Sequence, residues 1–165
     1  MHTTRSNRVL SATAAVALAV VALTAGPAFA DGSRGHSVLK APLMGSMPAP
    51  ASPTIAGVNP GAVPWVNGRS NVRVRENGRI TVTIRGLVIP PPLGKGVNPI
   101  AFVVATLVCD DTVKDSTEPF ALSPVGNGSI SDVISVPRHC GDPTVLIRPS
   151  KNRAVYIASA FGEDD

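Results

Sequence analysis

Proline and glycine set the limits on what this chain can fold into. Of its 16 prolines and 15 glycines, all but Gly26 and Pro27 lie after residue 30. Each proline removes a backbone donor and each glycine loosens the chain, so long helices have little uninterrupted room. This punctuation excludes a helix bundle, a coiled coil and a doubly wound α/β enzyme, and it leaves short strands joined by turns. Hydrophobic residues, at 44%, can fill a core, while aromatics at 4% and charged residues at 16% leave few side chains for stacking or ionic chemistry.

The first 30 residues read as an export signal. Arg5 and Arg8 precede an apolar run from Val9 to Ala25, and Ala28-Phe29-Ala30 supplies the small residues that signal peptidase accepts. The run is at the short limit for a spanning helix. No arginine pair precedes it and no cysteine stands at the cleavage point, so general secretion with cleavage after Ala30 is expected rather than a lipid or membrane anchor. The formal charge of +4 falls by two once Arg5 and Arg8 leave. Cys109 and Cys140 are the only cysteines, and in an oxidising compartment they are expected to form one disulfide.

Residues 31–56 hold Pro42, Pro48, Pro50 and Pro53 among serines and glycines, and they read as a flexible, partly extended tether. Residues 57–165 read as one β domain. The clearest element is a hairpin over 71–84. A two-residue turn at Asn77-Gly78 would set Val74 opposite Thr81 and mix the two faces. A three-residue loop, Glu76-Asn77-Gly78, pairs Val74 with Ile80 and Val72 with Val82, keeping the branched apolar side chains together. The second strand is expected to run on through Gly86-Leu87-Val88-Ile89 to Pro90. Ile100 to Cys109 is nearly unbroken apolar, as in a central strand covered on both faces. Phe120–Leu122, Ile130–Val136, Thr144–Arg148 and Ala154–Phe161 complete the set. About seven strands and no helix predict an antiparallel β-sandwich, Ig-like or jelly-roll-like.

Pro64-Trp65, Gly86-Leu87-Val88-Ile89-Pro90, Asn98-Pro99, Cys109, Gly126-Asn127-Gly128, Val136-Pro137, Cys140 and Tyr156-Ile157-Ala158 stand in that order. The arrangement, over roughly residues 55–162, resembles a group of small secreted actinobacterial proteins. The resemblance implies a secreted, disulfide-linked β domain, and it carries no activity, substrate or catalytic residue.

The catalytic inventory is poor. Outside the signal the histidines are His36 and His139, too few for the usual zinc or copper site. No phosphate-binding loop or dinucleotide fingerprint occurs, and no serine stands in a nucleophile elbow, so no cofactor is expected. His139, beside Cys140 in a proline-flanked loop, reads as an exposed structural residue. Asp110, Asp111, Asp115 and Glu118 crowd one loop, where they could ligate calcium or supply the paired acids of a small secreted hydrolase; an ordinary solvated loop is the simpler reading. Asp132 shares the core side of its strand with Ile130 and Ile134, and it is expected either at a sheet edge reaching water or paired with Arg148. Trp65 and Tyr156 are the only Trp and Tyr. Phe102, Phe120 and Phe161 read as core, which leaves a stacking sugar site undersupplied.

The chosen hairpin register places Arg69, Arg73, Arg75, Arg79 and Arg85 together, opposite the apolar side chains. Like charges side by side favour an anion, and arginine forks match phosphate or carboxylate. The resulting expectation is a secreted, non-catalytic binding module for an anionic cell-wall polymer or an extracellular protein. Export and the scarcity of stacking aromatics argue against nucleic acid. The alternative is the hydrolase using carboxylates 110–118, which would lose turnover, and not fold, on Asp110→Ala or Asp111→Ala.

Overall fold

A computed structural model describes residues 35–162; the export signal expected over 1–30 lies outside the described residues. All regular structure among the described residues is β. The strands are β1 (Ser37–Pro42), β2 (Met44–Gly45), β3 (Asn59–Pro60), β4 (Asn71–Arg75), β5 (Arg79–Ile84), β6 (Phe102–Cys109), β7 (Thr112–Ser116), β8 (Phe120–Ala121), β9 (Gly128–Val133), β10 (Thr144–Pro149), β11 (Val155–Tyr156) and β12 (Ala158–Phe161). The first sheet has the order β1-β4-β5-β9. The second has the order β2-β12-β10-β6-β7, with β8 also paired to β6, and β3 and β11 form a short parallel pair. Both larger sheets are antiparallel throughout.

One core joins the two sheets. Leu39, Ala41, Val72, Val74, Ile80, Val82 and Ile84 face it from the first sheet, and Val103, Ala105, Leu107, Val145, Ile147, Ala158 and Ala160 face it from the second. This face-to-face packing is that of a β-sandwich. β6 is buried from Val103 to Cys109 because both of its faces are covered. The inner set meets the first sheet, while Val108 joins Leu146, Tyr156, Ile55 and Val58 in a second cluster.

The hairpin has the expected register, with Val72 opposite Val82 and Val74 opposite Ile80. Gly78 sits at φ +85°, the left-handed backbone that the three-residue loop demands. The Cys109–Cys140 disulfide is present. It ties the end of central strand β6 to the segment that crosses from β9 in one sheet to β10 in the other. In the chain-entropy picture such a closure contributes about 3–4 kcal/mol.

Four expectations are corrected. Residues 35–56 are not a tether: β1 pairs with β4 along the edge of the first sheet, β2 pairs with β12, and Leu39, Ala41, Leu43 and Ile55 are buried. Pro42 is tolerated because an edge strand has one row of donors with no ladder to complete. The second hairpin strand stops at Ile84, because Gly86 at φ +61° turns the chain aside. Val88 and Ile89 then make isolated bridges with Val66 and Val97. The acidic segment is not merely a loop, since Thr112–Ser116 returns along β6 as β7. Phe102 and Phe161, at strand ends, are 51% and 49% exposed rather than core.

Candidate functional site: a basic sheet face

The outer face of the first sheet is built by alternation. With Val72, Val74, Ile80 and Val82 turned into the core, the intervening residues of β4 and β5 must face out. One cross-strand row reads Lys40, Arg73, Thr81, Ser131, and the next reads Pro42, Asn71, Thr83, Ser129. Toward the hairpin loop, Arg75 faces Ser37 and Arg79 faces Val133. Beyond the other end of the ladder, Ser70 holds the two strands together. Its hydroxyl accepts the Arg85 amide at 2.9 Å, and Gly68 N donates to Arg85 O at 2.7 Å. Arg69 and Arg85 therefore flank that closure.

Arg69, Arg73, Arg79 and Arg85 are exposed, and Arg75 is half-buried. The structure adds Lys40, directly opposite Arg73. No ladder position on this face holds an aspartate or glutamate; apart from Pro42 and Val133 the face is made of cations, hydroxyls and one amide. Positions two residues apart along a strand are separated by about 7 Å. The cations at Arg75 and Arg79 and those at Lys40 and Arg73 are thus spaced along the strands. The row with Asn71, Thr83 and Ser129 follows, and Arg69 and Arg85 lie beyond it, outside the strands. Such a surface can accept anions in series, each through a guanidinium fork or ammonium and a nearby hydroxyl.

The carboxylates do not converge. Asp110 and Asp111, at φ +52° and +51°, form the tight turn joining β6 to β7, a backbone that aspartate tolerates better than most residues. Asp111 Oδ1 accepts the Ala56 amide and so fastens the 55–58 turn to this hairpin. Asp115 accepts the amides of Ser116 and Ser135, each at 2.7 Å. Glu118 donates its own amide to Asp132 Oδ2 at 2.9 Å. Among the described residues no three histidine, cysteine, aspartate or glutamate side chains gather as a metal site would require. The carboxylates of Asp111 and Asp115 thus act as acceptors for backbone amides.

Asp132 does lie on the core side, opposite Ile80, on edge strand β9. It is half-buried and satisfied by the amides of Glu118 and Val133. Arg148 alternates with Val145 and Ile147 and shares the side of Leu146, the face of the second sheet turned away from the first. Of the two expectations for Asp132, the edge position is therefore found and the ion pair is not. The Arg148 Nε is buried without a partner, and burial, then the charge of Arg153, lowers its pKa.

A cleft of about 730 Å³ opens between β1, the β4–β5 loop and residues 136–141, lined by Val38, Glu76, Pro137, Arg138, His139 and Cys140 among others. His139 is exposed there, and no serine lines the cleft. Trp65 is buried in the core and Tyr156 is fully buried beneath the 46–58 segment, so neither offers a stacking platform. Fold and face together define an all-β, disulfide-linked domain with one basic sheet surface. No protein-family model, curated protein or solved structure matches the chain.

Proposed function

We propose that the protein is an exported, non-catalytic β domain that binds an anionic polymer outside the cell along the outer face of its first sheet. One observation carries this reading: four ladder positions hold Lys40, Arg73, Arg75 and Arg79 with no carboxylate among them, and Arg69 and Arg85 extend the series. Cations held side by side by strand pairing repel one another, and a bound polyanion relieves that repulsion. Phosphate-rich wall polymers suit the chemistry, because each phosphate accepts a guanidinium fork and the intervening hydroxyls can bond to sugar or polyol.

Export is supported by the charged, apolar and small-residue succession of residues 5–30. The hydrolase alternative finds less support. Asp111 and Asp115 are spent on backbone amides on different sides of their hairpin. The test is retention of the purified domain on immobilised polyphosphate and on wall polymer stripped of protein. Retention should drop when Arg73 and Arg75 become serine; no retention at low ionic strength would refute the reading.

A further inference from the structure

A second surface, at the loop end of the molecule, has the make-up of a lipid-binding tip. After β5 the chain makes an excursion in which Ile89 pairs with Val97 and residues 90–96 form the turn. Its tip is Pro90-Pro91-Pro92-Leu93-Gly94-Lys95-Gly96. Leu93 is 67% exposed and Val97 is 45% exposed. The neighbouring turn, Pro124-Val125-Gly126, is fastened to the base of this excursion. Asn98 N donates to Pro124 O at 2.7 Å, and Leu87 N donates to Gly126 O at 3.0 Å. Val125 on that turn is 62% exposed.

These side chains are not out because the loop is slack. Gly94 N donates to Pro90 O at 2.9 Å and Gly96 N to Ile89 O at 3.1 Å, so the turn is braced with its leucine outward. The same bonds prepare the backbone for an apolar medium. Entry into lipid is opposed by unpaired backbone N–H and C=O groups alike, and this turn has few free N–H groups. Here three of the seven residues are prolines with no N–H, and two more donate internally, which leaves the amides of Leu93 and Lys95 for headgroup oxygens.

Charge sets the kind of lipid. Lys95 is the charged residue of the tip, and no acidic residue stands between Glu76 and Asp110 or between Glu118 and Asp132. We infer that the 90–97 and 124–126 turns dock on a bilayer surface of anionic lipid, with Leu93 and Val125 at the level of the acyl boundary and Lys95 among the headgroups. Each aliphatic side chain so buried should strengthen partitioning by about tenfold or more, and a lysine beside an anionic surface by about fivefold. This contact is separate from the arginine sheet face and does not rest on it.

Co-sedimentation with vesicles of phosphatidylglycerol and phosphatidylcholine tests the inference, with pure phosphatidylcholine vesicles as the second arm. The protein should pellet with the anionic vesicles and far less with the zwitterionic ones. Leu93→Ser with Val125→Ser should weaken binding by roughly a hundredfold, while leaving retention on polyphosphate unchanged. Because Trp65 is buried, Leu93→Trp adds an exposed reporter, whose emission should shift to the blue on anionic vesicles. Three outcomes would overturn the inference. They are binding that survives the Leu93/Val125 change but is lost with Arg73→Ser/Arg75→Ser, an unshifted Leu93→Trp emission, and self-association of the protein that the Leu93/Val125 change abolishes.

Discussion

The hydroxyl of Tyr156 donates to Pro53 O at 2.7 Å and holds the proline-rich 46–58 segment over the second sheet. Burial raises the pKa of this phenol. An unfolded tyrosine ionises near pH 10; the folded chain keeps its proton to higher pH, so the unfolded state releases a proton first. The associated stability is therefore complete below about pH 10 and is lost as pH rises through the folded-state value. Tyr156 is the only tyrosine, which makes the comparison clean. Tyr156→Phe should cost about 1 kcal/mol near neutrality, and urea denaturation should show a shallower loss of stability above pH 10 than in the parent. Equal alkaline slopes would contradict this assignment. Gly78 gives a second residue-scale expectation. A Cβ there would lie 2.4 Å from Ile134 O, at a φ of +85°, and Gly78 O already accepts the Ile134 amide. Gly78→Ala should cost about 2 kcal/mol or more in thermal or urea unfolding.

At the scale of elements, what the sequence reveals follows the strength of its alternation. Val72, Val74, Ile80 and Val82 fix the hairpin register by parity alone, because a slip of one residue would put polar side chains inward. β6 is legible for the opposite reason, being apolar at every position. β1 is masked by its surroundings: Leu39, Ala41 and Leu43 do alternate, but four prolines nearby read as a tether. Those prolines lie at an edge strand and in turns, where a missing donor costs little. β7 carries no apolar alternation, since Thr112–Ser116 is exposed or half-exposed throughout, and only its pairing to β6 defines it. The basic face shows the same pattern. The arginines of β4 and β5 could be placed by counting, and Lys40 could not, because its strand was hidden. A chain beginning at Gly57 lacks β1 and β2 and bares Val72 and Val74, which should leave it unfolded by circular dichroism and proton NMR. A cooperatively folded 57–165 fragment would show that the first strand is dispensable.

Over the whole molecule, charge is partitioned by surface. The acids of the β6–β7 hairpin are used on backbone amides, whereas the cations of the first sheet stand in rows with hydroxyls and no acid between them. The shared core fixes the opposite, apolar face of that sheet against the second sheet, and the disulfide ties the β9–β10 crossing to β6. The spacing of the cations is thereby preset before any ligand arrives. Polyanion binding by such a surface is driven by counterion release, and its affinity must fall with salt in proportion to the charges neutralised. The decisive measurement is the affinity for polyphosphate across a series of salt concentrations, for the parent and for Arg73→Ser/Arg75→Ser. The parent should give a steep linear decline of log affinity with log salt, and the variant a slope shallower by roughly two. Affinity independent of salt, or an unchanged slope in the variant, would contradict the assignment of this face as the binding surface.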